Sequence, residues 1–311
     1  MSDPGEAPPP ERAEGLRLET CYRHPNVATG VHCTRCGRPI CTECMRPAAV
    51  GYQCPECLRE AGHSMPRSRR TLSVGRTGRV TRALIAANVI VFLIEVVIGG
   101  PQSLFAGPTA RQLLNMGALF PVDVAQGEYW RLFTAMFLHI GILHIAFNMY
   151  ALYLFGTLVE AEYGSGWFAF IYFFSGLMAS VASFVFGPVV AVAAGASGAI
   201  FGVFGAWIAF NVRRRDTVMG RANLRGAVGL IVLNFVILFF VSGIDWRAHV
   251  GGLLSGFVAG WVAEGLLPRG TSRSSQATVQ VGTFVVLGVV AVALTVMRVH
   301  AIQALGLPGF G

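Results

Sequence analysis

Four polar side chains within apolar stretches of the chain have the types and spacing for acyl transfer. Ser197 sits in "GASG" at 195–198, bracketed by Gly195 and Gly198. His249 lies in "DWRAHVGGLLSGFVAGW". His144 and Asn148 lie in "FLHIGILHIAFNMYALYLFG", four residues apart and so on one face of a helix. A histidine beside a serine takes the hydroxyl proton as general base and returns it to a leaving amine as general acid. The oxyanion then needs donors. The Ser197 N–H, in the first turn of a helix, has no intrahelical partner, and His144 and Asn148 add side-chain donors. Each residue also has a plainer use, as a small or polar contact between membrane helices. No third carboxylate is well placed, since Asp245 comes before His249 at the membrane edge, so the expected unit is a dyad.

The elements that must position these groups are membrane helices. The chain has 311 residues, 54% of them hydrophobic and 13% charged, with a mean hydropathy of +0.58. These values describe an integral membrane protein with a modest soluble appendage. We expect spans at 83–99, 134–156, 167–187, 196–212, 226–243, 247–267 and 279–298. No alternating strand pattern of a transmembrane barrel occurs. The N-terminus "MSDPGEAPPPERAEG" lacks an apolar core, so no cleavable signal peptide is expected and the first span would direct insertion.

Orientation follows from arginine, which supplies all the basic charge because lysine is absent. Arg67, Arg69, Arg70, Arg76, Arg79 and Arg82 precede the first span, "RRRDTVMGRANLR" separates the fourth and fifth, and Arg269 and Arg273 follow the sixth. The positive-inside rule puts all three regions in the cytoplasm and the C-terminus outside. We expect the plasma membrane of a bacterium. The second, fourth and sixth spans then run inward, so His139, His144, Asn148, Ser197 and His249 share one depth below the outer surface. Gly252, Gly256 and Gly260 share a face with His249, and Gly198, Gly202 and Gly205 form a second stripe beside Ser197. If the stripes face each other, the two backbones approach closely and bring histidine to serine.

Other chemistries fall away. The chain has no lysine for a Ser–Lys dyad, no HExxH zinc-protease motif, and no two aspartates within spans. A transporter or channel would show charged residues along a pathway or inverted repeats; Glu95 is the only acidic residue well inside a span. The arginines beside hydrophobic segments suit topology, so nucleic acid is not an expected partner.

With "YWRLFTAMFLH" at 129–139, "HIGILHIAFN" at 139–148, "GASG" and "AHVGGLLSG" at 248–256, residues 81–267 resemble the rhomboid family of intramembrane serine proteases. The resemblance implies Ser197 as nucleophile, His249 as base, and His144 with Asn148 at the oxyanion hole, with no cofactor for the catalytic step. It implies a water-accessible cavity opening outward, and single-pass membrane proteins as substrates, cut at or near their transmembrane segments. It further implies a structural role for Trp130–Arg131 and a loop-bracing role for Glu160. The alternative is a catalytically silent relative that binds membrane clients. The chain departs from the family's basic six-helix form by a seventh span and by an N-terminal Cys/His segment.

That segment holds all seven cysteines, between residues 21 and 57. The clustering suits metal in a reducing compartment better than disulfides. The pairs Cys21/His24, Cys33/Cys36, Cys41/Cys44 and Cys54/Cys57 supply eight ligands, enough for two closed tetrahedral zinc sites. Sequential and interleaved pairing both fit the spacing. The four pairs resemble a B-box-type zinc finger, which implies interleaving: Cys21, His24, Cys41 and Cys44 on one Zn2+, and Cys33, Cys36, Cys54 and Cys57 on the other. His32 and His63 are set aside. A segment so small takes much of its folding free energy from metal. Full coordination points to binding or regulation, with a cytoplasmic protein partner.

The expected architecture is an all-α polytopic membrane protein with a rhomboid-like six-helix core, a seventh C-terminal helix and a small zinc-binding domain in front. In order, it comprises a disordered leader at 1–16, the double-zinc domain at 17–63, a basic linker at 64–80, the catalytic domain at 81–267, and the last linker, helix and tail at 268–311.

Overall fold

The computed structural model describes residues 19–48, 50–64, 78–240, 244–268 and 270–309. The expected leader, most of the linker with Arg67, Arg69, Arg70 and Arg76, the His63 side chain and Arg269 lie outside the described residues. The chain divides into two compact units, 1–73 and 74–311.

The first unit has two small antiparallel pairs, β1 (Glu19–Cys21) with β2 (His24–Thr29) and β3 (Arg46–Pro47) with β4 (Tyr52–Gln53), followed by α1 (Pro55–Ser64). Its core is six buried cysteines around the fully buried Ile40. So little apolar surface cannot by itself offset the entropy of ordering the chain.

The second unit is helical. After α2 (Arg79–Gly99) come four short helices, α3 (Ser103–Ala106), α4 (Ala110–Asn115), α5 (Pro121–Ala125) and α6 (Arg131–Thr134), then a 3-10 turn over Ala135–Phe137. Next is one continuous rod of α7 (Ile142–Ala151), a π turn (Leu152–Gly156) and α8 (Thr157–Tyr163). It is followed by α9 (Ser165–Phe186), α10 (Ser197–Val212), α11 (Val218–Phe240), α12 (Trp246–Ala263) and α13 (Arg273–Gln303). By length and composition, α2, the rod Ile142–Tyr163, α9 and α13 can cross a membrane. The helix ends have local causes. Gly100, at φ 81, and Pro101 stop α2; Thr109 and Gln112 form a capping box on α4; Pro121 opens α5.

The second span needs correction. We expected it to begin at residue 134, but the rod begins at Ile142, after a break at Leu138–Gly141. Leu138 is extended, at ψ 151, and Gly141 has φ 134, which favours glycine. His139 therefore lies in the loop before the helix, while His144 and Asn148 are on it.

Candidate active site and metal clusters

The two glycine stripes do face each other, and α10 and α12 touch backbone to backbone. A Cβ on Gly252 would sit 2.0 Å from the Gly198 carbonyl oxygen, one on Gly256 2.0 Å from that of Gly202, and one on Gly205 2.1 Å from that of Leu253. Only hydrogen fits at these points. Ser197 and His249 lie at the same end of this crossing, and Ser197 Oγ is 2.9 Å from His249 Nε2. The His249 ring stacks on Phe201, one turn after Ser197, at 4.3 Å between centroids and 5° between planes. Phe201 went unnoticed in the sequence, where one more phenylalanine in an apolar helix carries no signal.

Among the described residues, no carboxylate hydrogen-bonds the imidazole. His249 Nδ1 is buried without a hydrogen-bond partner among the described residues. Asp245 is occupied elsewhere: it caps α12 by accepting from the Arg247 and Ala248 N–H groups, and it accepts from the Ser183 hydroxyl.

Two donors sit on α7. The Ile140 N–H donates to His144 Nδ1 at 3.3 Å, which leaves the His144 proton on Nε2. A Cβ on Gly195 would lie 3.1 Å from that Nε2 and 3.7 Å from Ser197 Oγ. Glycine at 195, with φ 138, thus leaves open the space that both atoms border. Asn148, one turn further along the same face, is buried, and its Nδ2 has no partner among the described residues. An unpaired buried donor is costly unless something polar comes to meet it.

His139 does not join this group as a donor. It is fully buried, its Nδ1 lies 3.1 Å from the Phe137 carbonyl, and its own N–H donates to Glu95 at 3.0 Å. Glu95, 1% exposed, thereby ties α2 to the loop that presents Ile140 to His144. Its isolation as an acid within a span was the sequence signal; its partner was not readable there.

The surrounding frame is held by charge and carbonyls. Arg131 donates to the Leu114 and Ala118 carbonyls at 2.6 and 3.0 Å, pairs with Asp123 and Glu128, and lies over the Trp130 ring. Glu160 accepts from the Val80 and Thr81 N–H groups, the Thr81 hydroxyl and the Ser165 hydroxyl. It caps α2 from outside that helix, a more specific task than the loop brace expected. An apolar groove of about 340 Å³, lined by Val212, Phe257, Trp261 and Leu266, lies toward the opposite ends of α10 and α12 and offers no such chemistry.

In the first unit, two quartets converge: Cys21, His24, Cys41 and Cys44, and Cys33, Cys36, Cys54 and Cys57, with ligand atoms within 4.8 Å of one another in each. The arrangement is interleaved, and each quartet could hold a metal ion. Tetrahedral zinc with Zn–S bonds of about 2.3 Å requires sulfur-to-sulfur edges of about 3.8 Å. Cys36 and Cys54 are 3.8 Å apart, and His24 Nδ1 lies 3.8, 3.2 and 3.6 Å from Cys21, Cys41 and Cys44. Burial, then the neighbouring Cys21 and Cys41 thiols, pushes Cys44 up to about 11. Against the upward push of burial, backbone N–H groups of Arg23 and Cys41 bring Cys21 down to about 6. Crowded thiols that resist ionising together are what a central cation relieves. His24 Nε2 approaches Glu43 at 3.8 Å, and His32 pairs with Glu19 and belongs to neither quartet.

Comparison with known proteins agrees with this frame. The family model described as "Rhomboid domain" matches residues 126–265. Rhomboid protease GluP of Bacillus subtilis is 41% identical over 179 residues, covering 58% of this chain and 34% of GluP. Putative rhomboid protease YdcA of the same organism is 35% identical over 139 residues, 45% of this chain and 69% of YdcA. RHOMBOID-like protein 6, mitochondrial, of Arabidopsis thaliana is 36% identical over 160 residues, 51% of this chain and 52% of that protein. The chain thus spans about a third of GluP and about half of the plant protein.

Proposed function

The chain belongs to the rhomboid family, and from that premise we propose that it is a serine endopeptidase that cuts single-pass membrane proteins at or near their transmembrane segments. The observation that carries the proposal is the 2.9 Å contact of Ser197 Oγ with His249 Nε2, beside the unpartnered Asn148 amide. Ser197 Oγ attacks the scissile carbonyl carbon while His249 Nε2 takes the hydroxyl proton. The oxyanion is met by the Ser197 N–H, His144 Nε2 and Asn148 Nδ2. As the C–N bond breaks, His249 returns its proton to the amine, leaving an acyl-enzyme. A water then attacks the ester as His249 takes its proton, and His249 passes that proton to Ser197 Oγ as the acyl C–O bond breaks.

In this reading the seven long helices of the second unit all span the bilayer, with the N-terminus cytoplasmic, the C-terminus external and the serine near the outer surface. The basic segments around Arg79–Arg82 and Arg213–Arg215 support that orientation. Each quartet of the first unit holds a structural Zn2+ in a B-box-like module. All four ligand positions come from protein, so the metal supplies folding free energy and takes no part in the peptide-bond chemistry.

The test is cleavage of a single-pass reporter in proteoliposomes. Wild type should cut, and Ser197→Ala and His249→Ala should not. Undiminished cleavage by Ser197→Ala would show that the nucleophile is misassigned. No cleavage by folded wild type across several reporters would favour the silent, client-binding alternative.

A further inference from the structure

Nothing in the proposed chemistry uses α13, yet its last turns are tied to the segments that hold Ser197. The buried residues of this helix form one stripe, Ala291, Thr295, Val299 and Ile302, while most of its valines are exposed. Near its N-terminal end Gln280 donates to the Val262 carbonyl at 2.8 Å and Gln276 accepts from the Leu267 N–H, and a second set of polar contacts lies at the C-terminal end of the helix. Arg298 Nη2 donates to the Gly187 carbonyl at 2.8 Å, and its Nε donates to that of Phe184 at 3.3 Å. Gln303 donates to the Ala125 carbonyl at 2.7 Å. Past the helix, Gln126 donates to the Leu307 carbonyl at 3.5 Å.

Val299 and Ile302 share an apolar cluster with Leu119, Ala125, Ala135 and Phe184. Two of these residues hold the approach to the serine. Leu119 and Ala193 exchange N–H to carbonyl bonds at 2.9 Å each, and the Gly195 N–H donates to Ala135 at 2.9 Å. The stretch from Gly187, after α9, to Ala196, before α10, contains no helix or strand. Its conformation depends on such outside bonds. α13 grips this stretch at Gly187 directly, and further along through Leu119 and Ala135.

We infer that the outer end of α13 is a clamp that positions Ser197, with Arg298, Val299, Ile302 and Gln303 as positioning residues acting through Gly187, Leu119 and Ala135. The inference rests on the proposed role of Ser197 as nucleophile. A nucleophile displaced by about an ångström can lose up to about a hundredfold in rate. Loosening the clamp therefore shows in turnover before it shows in substrate binding.

The experiment uses the full-length protein carrying Arg298→Gln with Gln303→Ala, Ile302→Ala alone, and Arg298→Lys, which keeps a donor. Hydrogen exchange at the amides of 193–195 reads the clamp without catalysis. The rate of covalent labelling of Ser197 by a fluorophosphonate reads nucleophile placement, and kcat and KM on a single-pass reporter read turnover. We expect faster exchange, labelling and kcat each down about tenfold with KM within about twofold, and partial recovery in Arg298→Lys. Wild-type exchange, labelling and kcat in the folded variants would overturn the clamp. Ile302→Ala serves the same comparison if the double variant does not fold. A wild type that never labels would defeat the nucleophile reading instead, and the exchange comparison would still decide whether α13 holds the segment.

Discussion

Ser197 Oγ and His249 Nε2 meet at 2.9 Å although 52 positions separate them in the chain. The contact depends less on side-chain reach than on how closely two backbones approach below it. The Gly256 position lies so near the Gly202 carbonyl that a methyl group has no room.

Gly256→Ala should therefore force α10 and α12 apart, at a cost of about 1–3 kcal/mol of stability, and reduce proteolysis. Gly282→Ala, where nothing lies within 4 Å, is the control. Equal thermal stability and activity in the two variants would refute a tight crossing.

Asn148→Ala should lower kcat by about 10²- to 10³-fold, the usual cost of one oxyanion donor, and leave KM nearly unchanged. Steady-state kinetics on a single-pass reporter checks this. A change confined to KM would place Asn148 in ground-state binding.

Glu160→Ala removes the acceptor of two backbone N–H groups at the start of α2. It should destabilise the membrane unit by about 1–3 kcal/mol, the cost of stranding buried donors. Glu160→Gln, which keeps one acceptor oxygen, should cost less. Thermal unfolding in detergent distinguishes the two, and two wild-type curves would exclude the capping role.

The interleaved quartets predict how zinc content responds to paired substitutions. Purified protein should carry two zinc ions per chain. Cys21→Ser with Cys41→Ser damages one quartet and should leave one ion; Cys21→Ser with Cys33→Ser damages both and should leave none. Metal analysis of the purified variants decides the matter, and the reverse outcome would mean sequential pairing.

Much of this was legible because it is written in local pattern. The serine between glycines, the four-residue step from His144 to Asn148 and the glycine stripes are regularities of a helix face. The start of the second long helix was not legible. A run apolar enough on average to span the bilayer hides the break at Leu138–Gly141, since hydropathy records transfer into lipid and not the path of the backbone. Phe201 was hidden for the same reason: stacking on His249 is a property of two helices, and neither sequence segment carries it alone.

The amino-acid sequence by itself determined that this is a helical membrane protein, which groups could do acyl transfer, and that eight ligands are available for metal. Composition and spacing are enough for such statements because burial in lipid, helical periodicity and ligand chemistry act over a few residues. Only the tertiary structure decided which cysteines share a cluster, what Glu95 and Glu160 hold, and that α13 reaches the segment before Ser197. Those answers rest on contacts between distant parts of the chain, such as Arg298 with Gly187 at 111 positions' separation. Contacts of that kind exist only once the helices have packed.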